Sequence, residues 1–141
     1  MALVEDMKVL LGSSFALYLK AHQFHWNVTG PNFAQYHEFL GNLYEEIFES
    51  IDTTAEEIRK LDAFAPGSLS RYMELSLVKD ELNIPEALRM LSILASDNDI
   101  VIQVLYKAHA AAEAERKFGT VNYLEDRITA HEKHAWMLKS F

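Results

Sequence analysis

Four side chains carry chemistry that packing alone does not explain: His25, His37, Asp52 and Glu56. Imidazole nitrogen and carboxylate oxygen together are good ligands for iron, manganese or zinc. Asp52 and Glu56 are spaced i and i+4, so on a helix they share a face and can converge on one ion. On a helical wheel with His37 at the origin, Asp52 falls at about 60° and Glu56 at about 100°. All three lie at the border of an apolar face, where polar groups need partners if buried. His25 follows His22 by about one turn, so that pair shares a face too. A lone histidine on an apolar helix is usually a satisfied core residue, and two acids one turn apart are often a solvated surface. The four residues with their spacing read instead as metal ligands.

Distance adds a constraint. His37 and Asp52 are 15 residues apart, about 22 Å along a single helix. Ligands must lie within about 2–2.3 Å of one ion. One helix therefore cannot bring both residues to the same metal. Two antiparallel copies can, because a two-fold axis near the helix midpoint sets His37 beside the Asp52 of the other copy. A symmetric dimer then holds two sites, roughly 20 Å apart. A di-iron centre inside one bundle would need Glu-x-x-His pairs on two helices. The sequence contains none.

The elements that position these residues follow from apolar periodicity. A first helix is predicted from about Val4 to Val28, with Leu10, Leu11, Phe15, Leu17, Tyr18, Ala21 and Phe24 at helical spacing. Gly30 and Pro31 break it. A second helix spans about Phe33 to Leu61. The connection from about Asp62 to Asn83 is long for a helix–helix link, and Ser68 can cap a short helix through Glu74. Asn83 is the expected cap of the third long helix, with Pro85 and Glu86 in its first turn. That helix is expected to run to about Lys117 and end at Gly119. The last begins at Thr120 or Val121. No strand pattern or repeat appears. The fold class is all-α: a ferritin-like four-helix bundle, with a long crossover carrying a short extra helix between the second and third helices. One domain is expected over residues 1–141.

Composition agrees and excludes alternatives. A chain of this length can bury roughly 65–70% of its unfolded surface. There is no cysteine, which removes disulfides, thiolate sites and cysteine nucleophiles. No stretch is long and apolar enough to span a membrane, and the first residues lack the pattern of a signal peptide. The formal charge is −8, with no basic cluster to attract a phosphate backbone.

Three segments together resemble the ferroxidase signature of the Dps mini-ferritins. They are His25-Trp26-Asn27-Val28-Thr29-Gly30-Pro31-Asn32-Phe33, Tyr36-His37-Glu38, and Ile51-Asp52-Thr53-Thr54-Ala55-Glu56-Glu57-Ile58. The ending from Asp126 to Leu138 is similar to that family's last helix, so the resemblance covers nearly the whole chain. It implies a cytoplasmic, twelve-subunit hollow shell. Such a shell binds Fe2+ at dimer interfaces, oxidises it with hydrogen peroxide or dioxygen, and stores Fe3+ mineral inside. Zn2+ or Mn2+ would suit the same ligands. Trp26 reads most simply as a core or interface aromatic, and the resemblance also places it near the metal, where it can trap oxidising equivalents.

Two departures from the family pattern matter. Gly41 stands where the family usually has an Asp, so a second ion loses a ligand. One firmly held metal is expected, with His22, Glu45 or water assisting a weaker second. A shell that binds metal or DNA without effective oxidation is the alternative. The first ten residues contain only Lys8 as a basic residue, so tail-mediated DNA binding is not expected. Elsewhere, Tyr36 and Tyr44 read as packing residues, and Met73, Met90 and Met137 as core filling. His131 and His134 sit about one turn apart and read as a surface or inter-subunit contact that could also take a metal. Glu125 and Asp126 are candidates for an acidic pore, though Asn122 stands at a position commonly acidic.

Overall fold

The computed structural model describes residues 1–141 and contains five helices and no strand. They are α1 (Ala2–Asn27), α2 (Phe33–Lys60), α3 (Leu69–Leu75), α4 (Ala87–Ala114) and α5 (Phe118–Leu138). The short turn after Asn27 folds α2 back along α1. The pairings of His25 with His37 and of Tyr18 with Tyr44 show that these helices run antiparallel. Lys20 meets Asp97 and Asp6 meets Lys107, so α4 is antiparallel to α1. Thr54 meets Tyr123 and Glu46 meets Arg127, so α5 is antiparallel to α2. Thus α2 and α4 are parallel, and their connection must run the length of the bundle. This is the expected crossover, with α3 on the way.

Leucines and other aliphatic side chains fill the centre: Leu10, Leu17 and Phe24 from α1, Leu40 and Ile47 from α2, Leu94 and Leu105 from α4, and Leu124 from α5. Burying each such side chain contributes about 1.5–3 kcal/mol relative to leaving it in water. Lys20 Nζ and Asp97 Oδ2, 2.7 Å apart, join α1 to α4 in an almost dry environment. The crossover lies close against α1 because Gly12 has no side chain. A Cβ there would stand 2.9 Å from Leu75 Cβ and 3.2 Å from the Tyr72 carbonyl oxygen.

Helix boundaries follow the caps. Ser68 caps α3, its hydroxyl accepting from the Arg71 amide at 3.2 Å. α4 starts later than expected. Glu86, not Asn83, is its cap, and its carboxylate accepts from the amides of Leu88 and Arg89 at 3.2 and 2.7 Å. An anion there also meets the positive end of the helix dipole. Asn83 instead donates its own amide to Glu81. α4 also ends earlier, at Ala114. Arg116 takes the left-handed conformation (φ 59°), and the Lys117 amide reaches back to the Ala112 carbonyl. That closure suits glycine best, yet here arginine makes it, and Gly119 lies inside α5. Met90 is buried and Met137 half-buried, but Met73 is 71% exposed and fills no core within the chain.

Candidate metal centre

His25 lies in the last turn of α1 and His37 just past the first turn of α2. The hairpin turn brings their rings into a parallel stack, 3.8 Å between centroids and 14° between planes. Each ring donates to the other residue's backbone. His25 Nδ1 is 2.7 Å from the His37 carbonyl oxygen, and His37 Nδ1 is 2.8 Å from that of His25. The His25 carbonyl belongs to a helix end, where it has no partner four residues on. A carbonyl can only accept, so both Nδ1 atoms carry hydrogen. Both Nε2 atoms are then left with a lone pair and no hydrogen bond in the chain. This is how proteins fix the tautomer of a metal-binding histidine.

Gly41 gives the stack room. His25 rests on the α2 backbone at this position, and a Cβ on residue 41 would sit 3.0 Å from His25 Cε1 and 3.2 Å from its Nδ1. A side chain there would require the His25 ring to shift by a few tenths of an ångström.

Around the pair lies a group of rings. His22 stacks on Tyr44 at 3.8 Å and 8°, and Trp26 packs against His22 at 4.0 Å. The Tyr18 hydroxyl is 3.0 Å from His22 Nδ1. Burial, then repulsion from His25, pushes the His22 pKa down, with Glu45 opposing. Trp26 remains 60% exposed. Tyr44, read from the sequence as simple packing, is the ring that joins His22 to His25.

Asp52 and Glu56 stand further along α2, exposed, with no hydrogen bond or ion pair inside the chain. The structure does not bring them to the histidines, and no three His, Asp or Glu side chains of one chain converge in a metal-holding geometry.

The bundle interior contains a second collection of the same residue types, with a different arrangement. His131 and His134 are buried, not on the surface. Arg127 donates to both oxygens of Glu46, at 2.5 and 3.1 Å, and His134 Nε2 lies 2.7 Å from Glu46 Oε1. Arg127 also donates to His131 Nε2 at 3.0 Å, which leaves His131 Nδ1 to donate to Asn98 Oδ1 at 2.8 Å. Both nitrogens of His131 are thus used, and a guanidinium occupies the place where an ion would sit. Burial pushes the Glu46 carboxyl up, but hydrogen bonds from His134 and Arg127 outweigh it and hold the group far below the usual carboxylate range. Burial, reinforced by Arg127, holds His131 well below the ordinary histidine range. The signal for this network was present in the sequence: Leu124, Arg127, His131, His134 and Leu138 form one stripe of α5. Glu125 has a partner too, His109 Nε2 at 3.0 Å.

A model of the ferritin-like domain matches residues 5–141. A DNA protection during starvation protein from Brevibacillus brevis is 34% identical over 125 residues, covering 89% of this chain and 84% of its own. A crystal structure of a Dps protein from Bacillus brevis superimposes with a TM-score of 0.94 at 30% identity, over 99% of this chain and 93% of that one. A Dps from Vibrio cholerae, described as a member of a broad superfamily of ferritin-like diiron-carboxylate proteins, gives 0.94 at 25% identity over 98% and 87%. The fold and these matches define a ferritin-like protein. Within that class, the chain belongs to the Dps family of mini-ferritins.

Proposed function

We propose that this protein is a ferroxidase and iron-storage mini-ferritin. Its Fe2+ site is formed by His25 and His37 of one subunit with Asp52 and Glu56 of the two-fold partner. The observation that carries the reading is the reciprocal imidazole-to-carbonyl pair, which leaves two Nε2 lone pairs side by side. The two unpartnered carboxylates, 15 residues along the same helix, complete the set only when a second copy packs antiparallel. Exposed apolar side chains near this face, among them Phe48, Leu69 and Met73, support burial against such a copy.

Fe2+ is the substrate. The imidazoles bind it as neutral donors and the carboxylates offset its charge, which favours the 3+ state after oxidation. Hydrogen peroxide or dioxygen takes the electrons, and the ferric product is sequestered in a cytoplasmic hollow shell of twelve subunits. Gly41 favours one tightly held iron per site. A shell that binds metal or DNA with weak oxidation is the second reading, and the lack of a ligand side chain at Gly41 is what favours it. No helix is long and apolar enough to cross a membrane. Lys8, the one basic residue among the first ten, is paired with Glu5.

The test is stopped-flow Fe2+ oxidation by peroxide, with assembly measured by light scattering. Rapid oxidation that is lost in His25→Ala and His37→Ala, in an assembly of about twelve chains, supports the reading. Oxidation no faster than in protein-free buffer overturns it in favour of the binding shell.

A further inference from the structure

The interior network has the donor set of a metal centre with a cation already inside it. Glu46 brings a carboxylate from α2, and His131 and His134 bring two imidazoles from α5. Two histidines and one carboxylate suit Fe2+. His131 is already oriented as a ligand. Its Nδ1 donates to Asn98 Oδ1 at 2.8 Å, which leaves Nε2 with a lone pair. A hydrogen bond from the far nitrogen is the usual support of a metal-binding histidine. What this Nε2 meets instead is Arg127 Nη2, at 3.0 Å. The same Nη2 lies 3.1 Å from Glu46 Oε1, and that oxygen is 2.7 Å from His134 Nε2. With the guanidinium between them, the three donors do not converge on an ion. Coordination at about 2.0–2.2 Å would need Glu46 and His131 to close in by about 1 Å each. A path for an ion exists as well. A cleft of about 370 Å³ opens between α2 and α5, with Glu46 and Arg127 in its wall and Glu49 and Asp126 beside them. Acidic groups at such a cleft concentrate cations.

We propose that Arg127 closes a latent metal site, formed by Glu46, His131 and His134 inside each bundle, and so confines Fe2+ to the α1–α2 end. The confinement of iron rests on the ferroxidase reading, whereas the closure concerns only which cation sits beside Glu46. A largely buried carboxylate needs a positive partner. The guanidinium is one that is always charged, is tethered to α5 and cannot be exchanged for an ion. Without it, Glu46 is left to recruit a free divalent cation. His131 Nε2 then takes its place as a ligand unchanged. His134 Nε2, which now faces the Glu46 carboxylate, ligates once its hydrogen moves to Nδ1.

Titration with Co2+ tests this, in a full-length chain that already carries His25→Ala and His37→Ala so that the proposed iron site is silent. With Arg127 present, no cobalt absorption bands are expected. Adding Arg127→Ala is expected to give the visible bands of Co2+ bound by nitrogen and oxygen, one ion per chain. Saturating Co2+ is then expected to raise the melting temperature by about 5 °C or more. Both effects are expected to vanish when His131→Ala is added. Arg127→Gln, which can still donate to Glu46, is the second variant, and the same bands are expected from it. Equal Co2+ binding with Arg127 in place overturns the proposal. So do folded variants with neither bands nor a shift, and bands that survive His131→Ala. Failure of both variants to fold even with Co2+ present overturns it too, because the ion is expected to replace the guanidinium. No arm reads iron oxidation, so the ferroxidase reading stands or falls separately.

Discussion

Two regions of this molecule gather histidines and carboxylates, and they have opposite characters. At the α1–α2 end, His25 and His37 spend their Nδ1 hydrogens on each other's carbonyls and keep Nε2 open. In the bundle interior, His131 has both nitrogens bonded, and Glu46 is met by Arg127 and His134. A metal would find two lone pairs in the first region and a resident guanidinium in the second. Residue type does not separate them. What separates them is what each second nitrogen bonds, and whether a built-in cation already neutralises the carboxylate.

The largest expected effect breaks the comparison at its open end. His37→Ala removes one lone pair and the donor to the His25 carbonyl. Fe2+-dependent peroxide consumption is expected to fall to background, while the melting temperature changes little because the ring is only half-buried. A large fall in melting temperature with activity intact would reverse the roles of the two regions.

Arg127→Met tests the closed end. It leaves Glu46 without its main cation and His131 Nε2 without a donor. Removing one partner of such a pair destabilises by about 3–5 kcal/mol when fully buried. The part exposure of Glu46 lowers the expected loss to about 2–3 kcal/mol, read by denaturant unfolding. Iron oxidation by the surviving fold is expected to stay within about twofold of wild type, since Arg127 touches none of the proposed ligands.

A smaller effect concerns stoichiometry. Anaerobic Fe2+ titration is expected to show one tight ion per proposed site, because Gly41 gives no ligand. Two equally tight ions would show that His22, Glu45 or water replaces the missing carboxylate.

The smallest effect is on pH dependence. His131 is held neutral in the fold, whereas an unfolded histidine takes a proton below about pH 6.5. The unfolded state then binds more protons, so stability falls as pH drops through that value. Glu46 adds to this below about pH 4.5, where the unfolded carboxylate protonates and the folded one does not. His131→Asn is expected to flatten the upper part of the melting-temperature profile. An unchanged profile would mean that His131 titrates normally.

The helices and the crossover were legible in the sequence because Gly30, Pro31 and Ser68 act through local backbone chemistry. The two ends of α4 were misplaced for local reasons as well. Asn83 and Gly119 are better cap residues by type, but Glu86 and Arg116 made the closing hydrogen bonds. The proposed metal ligands were legible as candidates from spacing. Their support was not, because the packing of His25 on Gly41 joins residues on two helices, and no single-helix pattern encodes it. The burial of His131 and His134 was not legible, because it depends on Arg127 and on Glu46 of another helix, and spacing along α5 alone does not encode that contact. Met73 was misread because an apolar side chain was assigned to a core within its own chain.

The central claim is that the site is completed by a second subunit, and co-assembly of two inactive variants tests it most directly. One chain carries His25→Ala and His37→Ala, the other Asp52→Asn and Glu56→Gln. When the two are unfolded together and refolded, random pairing in isologous dimers leaves about a quarter of the sites with all four native ligands. The shared-site account predicts Fe2+ oxidation restored to about a quarter of the wild-type level from two variants that are each inactive. A mixed assembly as inactive as its parents would contradict it.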